Sequence, residues 1–136
     1  MLRFFKKLTF EDKVRSRIAN SFKRDVGNDV GATLFYVFEA MVERAQNEAG
    51  MPQDFLQQIE NSGMSDNAGA IALLDASITG AKKLISAGLA PEDLNSTVFV
   101  MERTLDRLFL DHPSEVVPRN GTAGPSMNDF TQDWNP

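Results

Sequence analysis

Through residues 1–111 the apolar side chains recur three or four positions apart in nearly every segment, and polar–apolar alternation never runs long enough for a strand. A spacing of three to four is the period of a helix with one buried face. Glycine and proline divide the pattern at 27–31, 50–52, 63 and 88–91. Such a chain is expected to be all-α: a compact bundle of about five helices, with a short N-terminal amphipathic helix before it and a disordered C-terminal tail after it. At 136 residues it is one domain that hides roughly two thirds of its extended surface, enough for a core without staples.

The helices can be placed from their stripes and caps. Met1, Phe4, Phe5 and Leu8 share one face, with Arg3, Lys6 and Lys7 opposite. Thr9 then reads as an N-cap, with Asp12 three residues on as a capping box. Phe10, Val14, Ile18 and Phe22 form a new stripe that does not continue the first, so a break at Thr9 separates residues 1–8 from a helix over 10–25. A turn is expected at 27–31, with Asp29 capping a helix over 30–48. The apolar set of that helix, Val30 to Ala45, is wide enough to predict burial on most sides and a central position. Pro52 opens a short helix over 53–61. Ser65 caps the next, over 66–87, which carries an ordinary core face and a row of small residues: Ala68, Ala72, Ala76 and Gly80. Pro91, Glu92 and Asp93 open a last helix over 91–111. Its Leu94, Val98, Met101, Leu105 and Leu108 step by four and three, a seam for a bundle neighbour or for a second copy of the chain. The reading favours self-association through that seam. From His112 onward, four prolines, two glycines and few aliphatics predict a flexible tail.

The charges fall into three regions. Residues 1–24 hold eight of the fourteen basic residues and only two acids, a balance of +6; the other 112 residues hold six basic and seventeen acidic ones, a balance of −11. The chain thus reads as a basic N-terminal arm over 1–25, an acidic helical core over 26–111 and a tail over 112–136. The asymmetry predicts either an anionic partner for the arm or an arm that neutralises its own acidic body. With no cysteine there is neither a disulfide framework nor a thiolate metal site, and a cytoplasmic setting, or one peripheral to a membrane, is expected. No apolar run approaches the ~18 residues of a membrane span, and residues 1–8 lack the hydrophobic region of a secretory signal.

Few residues carry chemistry. The one histidine, His112, has no Glu-x-x-His or His-Glu-x-x-His companion and reads as a cation at a helix C-terminus. Glu39 and Glu43 share a helix face, but Asn47 extends the same edge and marks it as solvated. Arg103 and Arg107 could grip an anion bidentately, although rows of Glu102, Asp106 and these arginines more often form a rim of salt bridges. The small-residue row could line a cleft for a flat ligand; close helix packing is its commoner use. No catalytic, cofactor or metal-ligating residue is assigned.

The two ends carry the stronger expectations. Phe4, Phe5, Lys6, Lys7 and Leu8, followed by Arg15, Arg17, Lys23 and Arg24, suit an anionic partner or a membrane surface. Near the other end, Ser126 and Asp129 form a cap-like pair. Met127, Phe130 and Trp134 follow at helical anchor spacing with Asp129 and Asp133 beside them, as in a helix laid in a partner's groove. The function expected is therefore a non-enzymatic protein–protein interaction module: an adaptor, assembly factor or inhibitor. Such a module would bind another protein through tail and arm. The alternatives are a peripheral membrane protein anchored by residues 1–8 and a nucleic-acid-associated protein using the arm.

Overall fold

A computed structural model describes residues 8–112. Among them lie five helices and no strand: α1 (Phe10–Val26), α2 (Asn28–Glu48), α3 (Phe55–Asn61), α4 (Asp66–Ser86) and α5 (Leu94–Asp111). The chain is an all-α bundle. The helix expected before Thr9 and most of the tail fall on residues 1–7 and 113–136, outside the described residues.

The start of α1 follows from its cap. The Thr9 hydroxyl accepts from the Asp12 N–H at 3.0 Å, and the Asp12 carboxylate accepts from the Thr9 N–H at 3.2 Å. Two of the N–H groups that a helix start leaves unsatisfied are thereby paired. Val14, Ile18 and Phe22 are then fully buried, so residues 10–26 are a bundle helix, and the boundary expected at residue 25 falls inside its last turn.

The turn into α2 is tighter than the sequence suggests. Gly27 alone breaks the helices, at a φ of 91°, and α2 begins at Asn28 without a side-chain cap, so Asp29 lies in its first turn instead of capping it. Gly31 does not belong to the turn. It sits inside α2, where a Cβ would lie 2.5 Å from the Cα of Lys23, so α1 and α2 meet backbone to backbone. At the other helix starts Ser65 caps α4 as expected, accepting from the Ala68 N–H at 3.1 Å. Before α3 and α5 the chain first makes three-residue turns, Phe55 N–H to Pro52 O at 3.3 Å and Leu94 N–H to Pro91 O at 3.1 Å, which shift both α-helices downstream of their expected starts.

The central helix is α4, which corrects the expectation that α2 would hold that place. It touches each of the other four helices and buries residues on every side, from Ala68 through Leu84. Its small residues make this possible: Ala68, Ala72, Ala76 and Gly80 are all buried in helix contacts, and at Gly69 a Cβ would lie 2.8 Å from Phe10 and 2.9 Å from Val14. The row therefore serves packing and does not line a ligand cleft. α2 buries only one face, with Leu34, Phe38, Met41, Val42 and Ala45 inward, while Val30 is 60% exposed. Phe38 meets Phe22 edge to face with ring centroids 6.0 Å apart.

The seam of α5 is also spent inside the bundle. Val98, Met101, Leu105 and Leu108 are buried and Leu94 is partly buried, against α4 and the end of α1. Of the two uses expected for the seam, a bundle neighbour or a second copy, the bundle itself takes Val98, Met101, Leu105 and Leu108 into its core.

The two crowded glycines respond differently to an added methyl. Alanine gains about 1 kcal/mol over glycine in a helix interior. At Gly31 the obstacle is backbone, so Gly31→Ala must push α1 and α2 apart and lowers stability by about 1–3 kcal/mol net. At Gly69 the obstacles are side-chain tips, one of them on the partly buried Phe10, so Gly69→Ala costs less. Urea denaturation of both variants checks this order; a Gly31→Ala protein as stable as the parent would refute the close approach.

Candidate functional site

Three arginines of the basic arm are tied to the acidic body. Arg15 pairs with Glu11 in its own helix and with Glu39 of α2. Arg17 donates to Asp66 at the start of α4 at 2.9 Å, and Arg24 reaches Asp111 at the end of α5 at 3.5 Å. Exposed pairs of this kind contribute about 0–1 kcal/mol each. Burying Val14, Ile18 and Phe22 contributes about 1.5–3 kcal/mol apiece, so the apolar stripe anchors α1 and the ion pairs orient it. Of the two expectations for the arm, an anionic partner or its own body, the structure shows the second for Arg15, Arg17 and Arg24. Lys23 packs its stem beside Gly31. Phe4, Phe5, Lys6 and Lys7 lie outside the described residues, and Leu8, the first described residue, is 56% exposed.

The strongest polar cluster joins the ends of α1 and α5. Arg107 donates to both Asp25 oxygens, at 2.6 and 3.1 Å, and to Asp111 at 2.7 Å. The buried Thr104 hydroxyl donates to Asp25 at 2.6 Å. Partial burial pushes the Asp25 carboxyl up, but the hydrogen bonds from Arg107 and Thr104 and the Arg107 charge outweigh it and hold the group below the usual aspartate range. Asp66 is lowered in the same way, with burial opposed by Arg17. A shallow cavity of about 300 Å³ beside this cluster is lined by Arg17, Arg24, Arg107, Asn20 and His112. Each arginine there is in an ion pair, Arg17 with Asp66, Arg24 with Asp111, and Arg107 with Asp25 and Asp111. His112 follows the last turn of α5, where its N–H bonds the Leu108 carbonyl.

A larger concavity lies elsewhere, between the start of α1, the second half of α2 and α3. It holds about 750 Å³. Its floor is apolar: Val42, Phe55 and Leu73 are buried, with Phe10 and Leu56 half-buried at the edge. Its rim is polar, with Gln46, Gln53 and Gln57 beside the carboxylates of Glu11, Asp54 and Glu60. Leu8 lies at its mouth. A second trough of about 320 Å³ shares Arg15, Val42 and Gln46 with it and runs on along α2 past Glu39, Glu43 and the 78%-exposed Tyr36. Across both troughs five carboxylates face Lys13 and Arg15, and Arg15 is already engaged by Glu11 and Glu39.

Glu39 is in an ion pair, Glu43 is exposed, and no group of three or more His, Asp or Glu side chains that could hold a metal occurs among the described residues. Glu102 pairs with Lys82, and Arg107 with Asp25, so the expected i,i+4 rows of α5 are divided between two neighbours. Met127, Asp129, Phe130, Asp133 and Trp134 lie outside the described residues. No helix among the described residues is long and apolar enough to cross a membrane.

Sequence reasoning does not find the groove. Leu56 and Phe55 are legible as core positions of a short helix, but nothing in their spacing says that one edge of that core stays open. Compared with protein-family models, curated proteins and solved structures, the chain gives no significant match.

The Asp25 cluster gives a pH-dependent prediction. A carboxyl lowered in the folded state adds stability that is fully present above the ordinary aspartate value of about 3.9 and is lost as pH falls through the lowered one. Asp25→Asn is expected to cost about 1–3 kcal/mol at neutral pH. Its deficit relative to the parent should close below about pH 4. Urea midpoints across the acid range test this; a deficit that stays constant with pH would show that the charge is not the source.

Proposed function

We propose that this protein is a non-enzymatic helical interaction module, and that its groove between α1, α2 and α3 receives the apolar face of a cationic amphipathic helix from another protein. The observation that carries the reading is the groove's composition. An apolar floor lies at the bottom of an open concavity, and the lining carboxylates outnumber the lining cations. A helix laid in such a groove needs apolar anchors at i, i+3, i+4 and i+7, and cations on its flanks meet the rim carboxylates. The apolar contacts would supply most of the affinity, and the charges would set orientation and association rate. This moves the expected contact from the arm to the groove, because Arg15, Arg17 and Arg24 are engaged within the bundle.

Selection of helical peptides from a displayed library on the immobilised full chain tests the proposal. The expected binders carry an apolar stripe with Lys or Arg between, and their NMR footprint covers Gln46, Gln53 and Leu56. Leu56→Glu, at a half-buried edge position, should weaken them by more than about tenfold, the cost of placing a charge on an apolar contact. Binders that map elsewhere would overturn the reading. So would contacts from Phe4 or Phe5 to Leu56 in the free protein, which would mean that the chain's own residues 1–8 fill the groove.

A further inference from the structure

The outer face of α5 carries a second pattern, independent of the groove. Phe99 is 61% exposed and Leu110 is 79% exposed, although both belong to a helix whose opposite face is fully used by the core. Between them on the same face stand Arg103 and Asp106, both exposed and neither in an ion pair or hydrogen bond among the described residues. At 100° per residue the four side chains fall within about 60° of arc, and at 1.5 Å per residue they span about 16 Å.

Single exposed apolar residues are ordinary. The order of these four is not random with respect to a two-fold axis: the midpoint of Phe99 and Leu110 is also the midpoint of Arg103 and Asp106. The face is therefore its own complement when turned end for end. We infer that a second copy of this chain packs antiparallel on it, α5 against α5. Phe99 then lies on Leu110 of the partner subunit, and Arg103 lies beside Asp106 of the partner subunit, each contact made twice by symmetry. Parallel pairing would instead set Arg103 against Arg103 and Asp106 against Asp106, and like charges across an interface are disfavoured.

The flanks are compatible with this pairing. Glu102 and Arg107 border the face, and both are already held by partners on their own bundle, Lys82 and Asp25, so closing the interface strands neither charge. The central Arg103 and Asp106, by contrast, have no ion pair among the described residues and gain one from the second copy. The surface differs from the seam expected from the sequence. Val98, Met101, Leu105 and Leu108 point into the core, and the interface uses the residues on the opposite side of the same helix.

Sedimentation equilibrium of the full chain is the test. The parent is expected to associate reversibly to a dimer. Arg103→Asp sets acids against acids across the axis, and Asp106→Arg sets bases against bases, so each alone should weaken the dimer by more than about tenfold. An equimolar mixture of the two variants should associate again: the Arg103→Asp chain presents only acids at the axis and the Asp106→Arg chain only bases, so the two are complementary at both symmetric contacts. Far-UV circular dichroism of each variant should match the parent, since both side chains are exposed and in no ion pair or hydrogen bond among the described residues. A parent that stays monomeric throughout the concentration range would overturn the inference. Dimers that survive both single reversals, or a mixture that does not re-associate, would also overturn it. The groove is on other helices, so a Leu56→Glu protein should dimerise normally while losing its peptides.

Discussion

Everything in this bundle rests on how closely other helices can approach α4. Helix axes pack about 8–10 Å apart, and large side chains at the contact keep them toward the far end of that range. α4 instead places alanine and glycine where α1 crosses, and the Phe10 ring and Val14 occupy the space that a Cβ at Gly69 would need. Close approach on one side leaves the larger residues, Ile71, Leu74 and Ile78, free to fill the rest of the core. The same device recurs between α1 and α2, where Gly31 lets two backbones touch. Core volume is thus set by small residues at crossings as much as by large ones between them.

Once the crossings are fixed, the charges follow. The excess of cations at the N-terminal end looks like an arm reaching for a partner while the chain is considered as a line. Folded, α1 lies across the bundle with its arginines beside the carboxylates of α2, α4 and α5. None of these pairs is energetically large. Together they offset much of the charge on α1 and leave the surface of the bundle with two different kinds of opening. One is concave, apolar at its floor and acid-rimmed. The other is a convex helix face on which a cation and an anion, both unpaired among the described residues, stand between two exposed apolar side chains. The first is the surface proposed for a cationic helix of another protein, and the second the surface proposed for a second copy of the chain.

Much of the architecture is legible in the residues. Thr9 with Asp12, and Ser65 with Ala68, work as caps because capping depends on atoms only three residues apart. The helix ends at Gly27, Gly50, Gly63 and Gly88 are equally local, since each has a positive φ that glycine adopts without strain. The differences are of another kind. Asp29 has the residue type and position of a cap, but Gly27 completes the turn by itself and leaves no place for one. The apolar face of α2 is wide enough for a central helix, yet width says only how much surface is available, and α4, with smaller side chains, takes the middle. The α5 seam has the spacing to meet a second copy, and it is closed by α4 and α1.

Local pattern alone made the five described helices legible, with their ends to within a turn and the apolar stripe of each, because periodicity, caps and breakers act within a few residues along the chain. Packing between helices set which of them lies at the centre, which carboxylates Arg15, Arg17, Arg24 and Arg107 meet, where the core stays open as a groove, and which exposed side chains share the outer face of α5 without an ion pair among the described residues. Those outcomes depend on distances between segments that can be about eighty residues apart, such as Asp25 and Arg107, and only the packing of small against large side chains sets them.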